Sequence, residues 1–448
     1  MKKDVIIIGA GLTGLTTAFL LKKQGKEVLV VEKSDHTGGS IKTYTEKGYV
    51  YESGPNTGTL SNPEIVELFE MLNGKCVLEI ANKDAHRRLI WKSGHLRALP
   101  HGFFSGLLTP LFSWKDKFGI LLEPFREKGN KRYESVADLA VRRLGYSIFN
   151  YAVDPFISGI YAGDPYQLTT RYALPKLYNL EQTYGSFIYG AIRKKMQSVP
   201  DRDKKATREV FSVEGGLENL IKALVQEIGD ENIVCGENNV YVSGEAENWT
   251  VTLKDKNIEY QTTKVISTIG PYGLKDIFPF VPEKLLDTIN NLRYAKVMQV
   301  AVGVKVDPGM DLDAFGVLLP GVENRSILGV LYPSSCFPGR APGGRVLFSV
   351  FLGGMRRSGL LTLPDAEIEE LVKRELKVVF NKHDIIFDFI RIFRHLRAIP
   401  QYEANTGERI RAIEVFQNRY PGIILGGNMH GGVGIADRVK QAFSMSEV

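Results

Sequence analysis

Three features of the 448-residue sequence predict a mixed α/β (α+β) fold. The chain opens with a β-branched run, a glycine turn, a helix-periodic stretch and a second β-branched run. It closes with a similar apolar run, a glycine-rich turn and a helix start, and helical and strand-alternating blocks lie between the two. Pieces of one parallel-sheet layer must then come from opposite ends of the chain, with a mostly antiparallel sheet and a helical insertion between them. At ~150 residues per domain, the length suits about three such parts.

The first element is Val5–Ile8 (VIII), continuous and apolar as expected of a strand buried on both faces. GAGLTG follows, comprising Gly9, Ala10, Gly11, Leu12, Thr13 and Gly14, and then LTTAFLLKKQGK with Leu15, Phe19 and Leu20 on one side. The second strand, Val28–Val31, ends in Glu32. Gly9 permits the tight turn, Gly11 lets backbone approach a pyrophosphate, and Gly14 lets helix and strand pack closely. A carboxylate at Glu32 accepts hydrogen bonds from ribose hydroxyls and repels a ribose phosphate, which favours FAD or NAD over NADP. KSDHTGGSIKTY and GYVYESGPNT follow; their glycines suit a second close approach of backbone to a cofactor, and a permanently held flavin needs that extra cover. Near the other terminus, residues 422–425 (GIIL) read as a strand, GGNMHGGVG as a turn and IADRVKQAF as a helix start. FAD is therefore expected, held without a covalent thioether because no cysteine lies near this turn.

Between the ends, residues 211–230 contain a helix with Leu217, Leu220, Ile221 and Leu224 on one face. IVCGENNVYVSGEAENWTVTLKD alternates like antiparallel hairpins with ENN, SGE and KDKN as turns, and KVISTIG is another buried strand. VMQVAVGVKV and GRVLFSVFLGG read as strands. Residues 102–125 are rich in Phe, Leu and Trp but broken by Gly and Pro. The pattern alone leaves them open to two readings, core helices or a segment lying in a membrane interface with Lys115, Lys117 and Arg126 nearby. The basic stretch 192–209 reads as a solvated, mobile loop.

Composition narrows the class. Net charge is +6, from 57 Lys and Arg against 51 Asp and Glu, too mild to indicate nucleic acid. Cys76, Cys235 and Cys336 form no paired motif, so neither a disulfide framework nor a zinc site is expected. No signal-peptide core and no run of ~20 apolar residues is present. A cytoplasmic protein, or one bound to a membrane from that side, is expected.

GAGLTG, VVEKSDHTGGSIKT and ESGPNT, with the C-terminal GVGI, resemble the flavin amine oxidase superfamily. SGIYAGDPYQLTTRYALPKL, the SSCFPGRAP segment with its flanking strands, and LGGNMHGGVGIADRV resemble the flavin-dependent porphyrinogen oxidases, both the protoporphyrinogen and coproporphyrinogen branches, essentially end to end. The resemblance implies a discontinuous Rossmann-like FAD domain (residues 1–80, 206–275 and 406–448), a substrate domain (81–104 and 276–405) and a helical insertion (105–205). It implies oxidation of protoporphyrinogen IX to protoporphyrin IX with dioxygen, giving hydrogen peroxide, in heme biosynthesis; oxidation of coproporphyrinogen III is the alternative. No catalytic side chain is implied, since hydride passes to the flavin.

The flavin contacts it implies are residues 9–14, Glu32, Lys33, Gly39, Ser40, Gly54, Pro55, Asn56, Thr57, Val240, Val433, Gly434 and Ile435. Arg88 is implied to pair with a substrate propionate, with Arg87 leaving the register open by one. Gly159 is implied to face the pyrrole nitrogens, and Leu318, Leu331 and Phe351 to clamp the macrocycle. The relatives dock on membranes through the insertion, which favours an interfacial role for residues 103–125, Phe103, Phe104 and Leu107 included. Homo-oligomerisation is left open. The rivals are an amine or carotenoid-precursor oxidoreductase and a flavin-free porphyrin-binding protein. LGGNMHGG lacks the aromatic cage of amine oxidases, and the intact glycine turns with Glu32 argue against a flavin-free chain.

Overall fold

The computed structural model describes residues 1–100 and 103–447, without the side chains of His86, Phe103, Phe104 and Leu107. The four strands expected to be buried assemble as one parallel sheet: Val28–Val31, Val5–Ile8, Lys264–Ser267 and Ile423–Leu425 lie side by side, with Ile233–Val234 added at the edge. The first helix, Leu12–Lys23, is buried at every residue from 12 to 21, so it is enclosed all round rather than amphipathic. Helix Glu218–Ile228 covers it from one side, and the C-terminal helix Ile435–Ser446 packs along it from another.

One expected hairpin series is redrawn. Ile233–Val234 joins the parallel sheet, so ENN is a crossover between sheets. Ser243, Gly244 and Glu245 are strand residues of Val240–Glu245, and the chain reverses at residues 246–247, where Glu247 takes a positive φ of 62°. The strands Val240–Glu245, Asn248–Leu253 and Ile258–Thr262 form an antiparallel meander.

The third layer is a seven-stranded sheet ordered Phe387–Pro400, Tyr294–Lys305, Arg345–Gly353, Ile327–Leu331, Gly316–Leu318, Arg88–Lys92 and His95–Ala98. All its pairings are antiparallel except that of Gly316–Leu318 with Arg88–Lys92. One face buries Leu89, Val300, Val317, Val330, Val350 and Leu352 against helix Asp365–Phe380 through Ile368, Val372 and Leu376. The opposite face is turned toward residues 52–56.

The segment between residues 103 and 204 is helical. A buried ionic knot holds it: Arg143 pairs with Glu123, Arg142 reaches Glu134 and Glu181 at 2.8 Å each, and Glu123 also accepts from Ser186 Oγ at 2.6 Å. The stretch expected to be a mobile loop instead contains helix ends. Phe187–Lys195 and Asp201–Lys204 are helical, and Arg202 makes two 2.8 Å hydrogen bonds to Glu67. Among the described residues, no helix is long and apolar enough to cross a membrane.

Candidate functional site

Three backbone segments meet at the carboxyl ends of Val5–Ile8 and Val28–Val31. Gly9 adopts φ 107°, which an L side chain rarely takes. A methyl group at Gly14 would overlap the Gly9 carbonyl oxygen, so the helix can approach the strand only as glycine. Gly11 bridges to Gly38, and Gly39 lies 3.4 Å from the Gly11 Cα (measured from an added Cβ), so the two glycine turns are stacked. Gly54 packs on the Ser40 carbonyl, which brings Pro55, Asn56 and Thr57 into the same region. Glu32 accepts from the Ala10 amide at 2.7 Å and from the Ser34 amide at 2.9 Å, which fixes its carboxylate beside the turn. Lys33 and Ser40 are exposed, while Leu12 and Thr13 are buried beneath the helix start.

The register explains how Val240 could serve through its backbone. Lys254 N–H donates to Asn239 O at 3.0 Å, which makes Val240 and Leu253 a non-hydrogen-bonded pair. Val240 is on the meander's edge strand, so its own N–H and C=O point away from that sheet. At the C-terminus, Gly434 caps helix Ile435–Ser446, its amide donating to Asp437 Oδ2 at 3.1 Å, and Val433 precedes it half-buried.

The substrate-type residues share one sheet face. Arg88, Gly316, Leu331 and Ser349 form one cross-strand row, and Ile90, Leu318, Gly329, Phe351 and Gln299 form the next row of the same face. Ser349 Oγ donates to Asn56 Oδ1 at 2.7 Å and Gln299 Nε2 donates to Glu52 O at 2.7 Å, so this face abuts the ESGPN segment. Gly159 lies against the Leu318 side chain, near the end of helix Asp154–Ile160. Ala162, just beyond it, takes a positive φ of 47° and packs against the same face, near Phe351.

Arg87 and Arg88 have different surroundings. Arg87 makes two 3.0 Å hydrogen bonds to the Asp311 carboxylate. Arg88 is exposed, with its guanidinium 5.8 Å from the Phe315 ring centre and no carboxylate partner among the described residues.

These residues fit an FAD. Gly11 caps helix Leu12–Lys23 with no side chain on the free amides and no acid in the first turn. A Cβ added at Gly11 meets no protein atom within 4 Å, which leaves the space a pyrophosphate needs at a helix N-terminus. The sequence pattern of the family described as flavin containing amine oxidoreductase is matched by residues 12–436, and the chain belongs to that family. It is an FAD-dependent oxidoreductase.

The chain is 29% identical to protoporphyrinogen oxidase 2, chloroplastic/mitochondrial, of Arabidopsis thaliana, over 100% of this chain and 93% of the relative. It is 25% identical to the coproporphyrinogen III oxidase of Bacillus subtilis (strain 168), over 98% and 96%. In three dimensions it resembles an Exiguobacterium sp. 255-15 protein provisionally called a protoporphyrinogen oxidase, with TM-score 0.82, 23% identity and coverage of 100% and 98%. Cyclohexylamine oxidase from Brevibacterium oxydans IH-35A gives TM-score 0.72 at 15% identity, over 100% and 99%. At these identities the structural likenesses show the fold alone.

Several participants escaped the sequence reading. Ser349 and Gln299 are single polar residues inside otherwise apolar strands, a signal that was present in VLFSVFLG and VMQVAV. Arg97 stands opposite Ile90 on the site face without an ion-pair partner among the described residues. Tyr402, Arg409 and Arg438 gather behind the C-terminal glycine loop from separate elements.

Proposed function

We propose that the chain oxidises a porphyrinogen to the corresponding porphyrin, with protoporphyrinogen IX as substrate and dioxygen as acceptor. The observation that carries the reading is the shared face: Arg88, Leu318, Leu331 and Phe351 project from one sheet surface that is bonded to the cofactor loop through Ser349 and Asn56. A flavin held by residues 9–14, Glu32 and residues 54–57 would supply a hydride acceptor for a methylene bridge and a route for the electron pair to dioxygen, released as hydrogen peroxide.

The chain's own residues bind and orient. Arg88 presents an unspent guanidinium to a propionate. Leu318, Leu331 and Phe351 cover a ring face that has no polar groups and keep water from it. Gly159 supplies its carbonyl from the last turn of helix Asp154–Ile160; the amide four residues on, Gly163, donates to Ile157 O instead. That carbonyl is available to a pyrrole N–H. Six hydrogens leave the macrocycle, so the substrate must be held or rebound through three turns, which suits an apolar clamp anchored at one carboxylate.

Arg97 favours a second reading, coproporphyrinogen III. It is the diagonal neighbour of Arg88, at the ~7–8 Å usual for such pairs. A second free cation suits a substrate with four carboxylates rather than two.

We also propose that the protein binds a membrane surface. Leu108, Trp114, Phe118, Leu121, Leu122 and Phe125 of the insertion are all more than half exposed. The side chains of Phe103, Phe104 and Leu107, expected to share this role, lie outside the described ones.

Incubation of the flavin-loaded protein with each porphyrinogen, with fluorescence and peroxide followed together, tests the function. Porphyrin should appear well above the spontaneous rate, with three peroxides per porphyrin. A rate equal to the enzyme-free control with both substrates would sink the proposal, and turnover of a primary amine would replace it.

A further inference from the structure

Residues 426–434 carry an asymmetry in their backbone hydrogen bonds. Arg438 Nη1 donates to Gly427 O, and its Nη2 donates to His430 O at 2.9 Å. Arg409 Nε donates to Met429 O at 3.1 Å. The Tyr402 hydroxyl lies 3.0 Å from Asn428 O and 2.8 Å from Gly432 O. Five carbonyls therefore turn to one side. The amides of Asn428, Met429 and residues 431–433 have no acceptor among the described residues. Backbone donors seldom stay unpaired away from water, so these five are open to a ligand or solvent on the other side. The loop leads into helix Ile435–Ser446, which packs on Leu12–Lys23, and Asn62 Nδ2 ties Ala436 O to the segment after Thr57 at 2.9 Å.

The charges behind the loop are not neutralised. Arg409 is 0% and Arg438 8% exposed, and neither has an ion-pair partner among the described residues. Burial disfavours the charge on both. Asp437, beside Arg438, has its carboxylate on the Gly434 amide, and Glu403, near Arg409, pairs with Arg293 at 2.8 Å. The remaining neighbours, Tyr161, Tyr294, Tyr402 and His430, are phenols and an imidazole; burial raises the phenols and lowers the imidazole, so all stay neutral near pH 7. A guanidinium presents five donors in a fixed fork, so one side chain can hold several carbonyls at once.

We propose that Arg438, backed by Arg409, is a positioning residue for the flavin: the pair turns the loop's amides toward the cofactor and its charge stabilises the negative charge gained on reduction. This goes beyond the substrate reading and does not depend on it.

The test uses the flavin-loaded protein without substrate. Sulfite adds to oxidised flavin and leaves a negatively charged adduct, so its affinity reports positive charge near the ring. Arg438→Met should weaken sulfite binding at least tenfold and lower the two-electron reduction potential, about 30 mV for each tenfold change. Arg438→Lys, which keeps the charge but loses the fork, should stay within about threefold of the parent in sulfite affinity. Retained flavin in Arg438→Met with unchanged sulfite affinity and potential would overturn the proposal. So would a loss in Arg438→Lys as large as in Arg438→Met. Should Arg438→Met fail to hold FAD, Arg438→Lys and Arg409→Lys decide: near-parent sulfite affinity supports the charge, and a tenfold loss in both refutes it.

Discussion

Ser349 and Asn56, 293 residues apart, are joined by a 2.7 Å hydrogen bond between two buried side chains. One belongs to the sheet that carries the substrate-type residues and the other to the loop assigned to the flavin, so the bond ties the two halves of the site. In Ser349→Ala the Asn56 carbonyl oxygen loses its donor in a dry setting, at a cost of about 1–3 kcal/mol. Denaturant titration of the flavin-loaded variant should show that loss together with faster flavin release. Parent-like stability and flavin retention would show that the two halves are held by other contacts.

Arg88 and Arg87 should behave oppositely. Arg88→Ala removes an unspent cation from the site face and should raise KM about ten- to a hundredfold, the worth of a charged hydrogen bond. Arg87→Ala breaks a pair with Asp311 whose side chains are both about one-third exposed, so it should cost about 0–1 kcal/mol and leave KM alone. Steady-state kinetics on the two variants, with a melting curve for each, separates them. A KM effect confined to Arg87→Ala would shift the assignment by one residue.

The first glycine turn makes a paired prediction. Gly11 sits at φ −74°, open to any residue, and an added methyl meets no protein atom, so Gly11→Ala should fold normally and lose at least tenfold in FAD affinity. At Gly14 the methyl would strike the Gly9 carbonyl, which cannot move aside. Gly14→Ala should therefore lose about 1–3 kcal/mol of stability even without the cofactor. Apoprotein melting and FAD titration read the two effects independently.

Much of this architecture is legible in local sequence because each parallel strand is short, continuous and apolar, and each glycine turn has its own spacing. Val5–Ile8, Val28–Val31 and Glu32 need no partner to be recognised. What eludes reading is what depends on register between distant segments. Nothing in ENN says that Ile233–Val234 belongs to one sheet and Val240–Glu245 to another, because the pairing is decided by the neighbour Val28–Val31. Nothing in IADRV marks Arg438 as buried, and only the fold sets it against carbonyls from its own loop. The stretch 192–209 looked loose because its charges have partners, Glu67 and Glu70, that lie about 135 positions earlier.

Glu52, which supplies the carbonyl for Gln299, has its carboxyl pushed up from 4.5 to about 7, chiefly by burial, despite hydrogen bonds from the Leu217 amide and Thr43 Oγ1. The folded state therefore binds a proton more tightly than the unfolded chain. Stability falls as pH rises from about 4.5 through 7, by an amount of order 3 kcal/mol from this group. Glu52→Gln keeps an acceptor for the Leu217 amide and has no proton to lose. Its denaturation midpoint, compared with the parent from pH 5 to 8, should gain on the parent toward the alkaline end. Parallel profiles would show that Glu52 is ionised at no extra cost.

The insertion supplies the last prediction. Helix Trp114–Leu121 and the turn after it carry Trp114, Phe118, Leu121, Leu122 and Phe125 at spacings that place them along one side, with Trp114, Phe118 and Phe125 exposed by 61%, 63% and 85%. Lys115 and Lys117 lie on the same helix, and Arg193, Lys194 and Lys195 end helix Phe187–Lys195, whose first amides bond Glu123. Each large apolar side chain buried in lipid contributes about 1.5–3 kcal/mol, so removing three should weaken vesicle binding more than a hundredfold. Trp114→Ser, Phe118→Ser and Phe125→Ser combined touch little within the protein and should leave flavin content and melting nearly unchanged. Co-sedimentation with vesicles of mixed zwitterionic and anionic lipid reads the outcome. Equal sedimentation of parent and triple variant would remove this surface from the membrane and leave its apolar stripe to another partner.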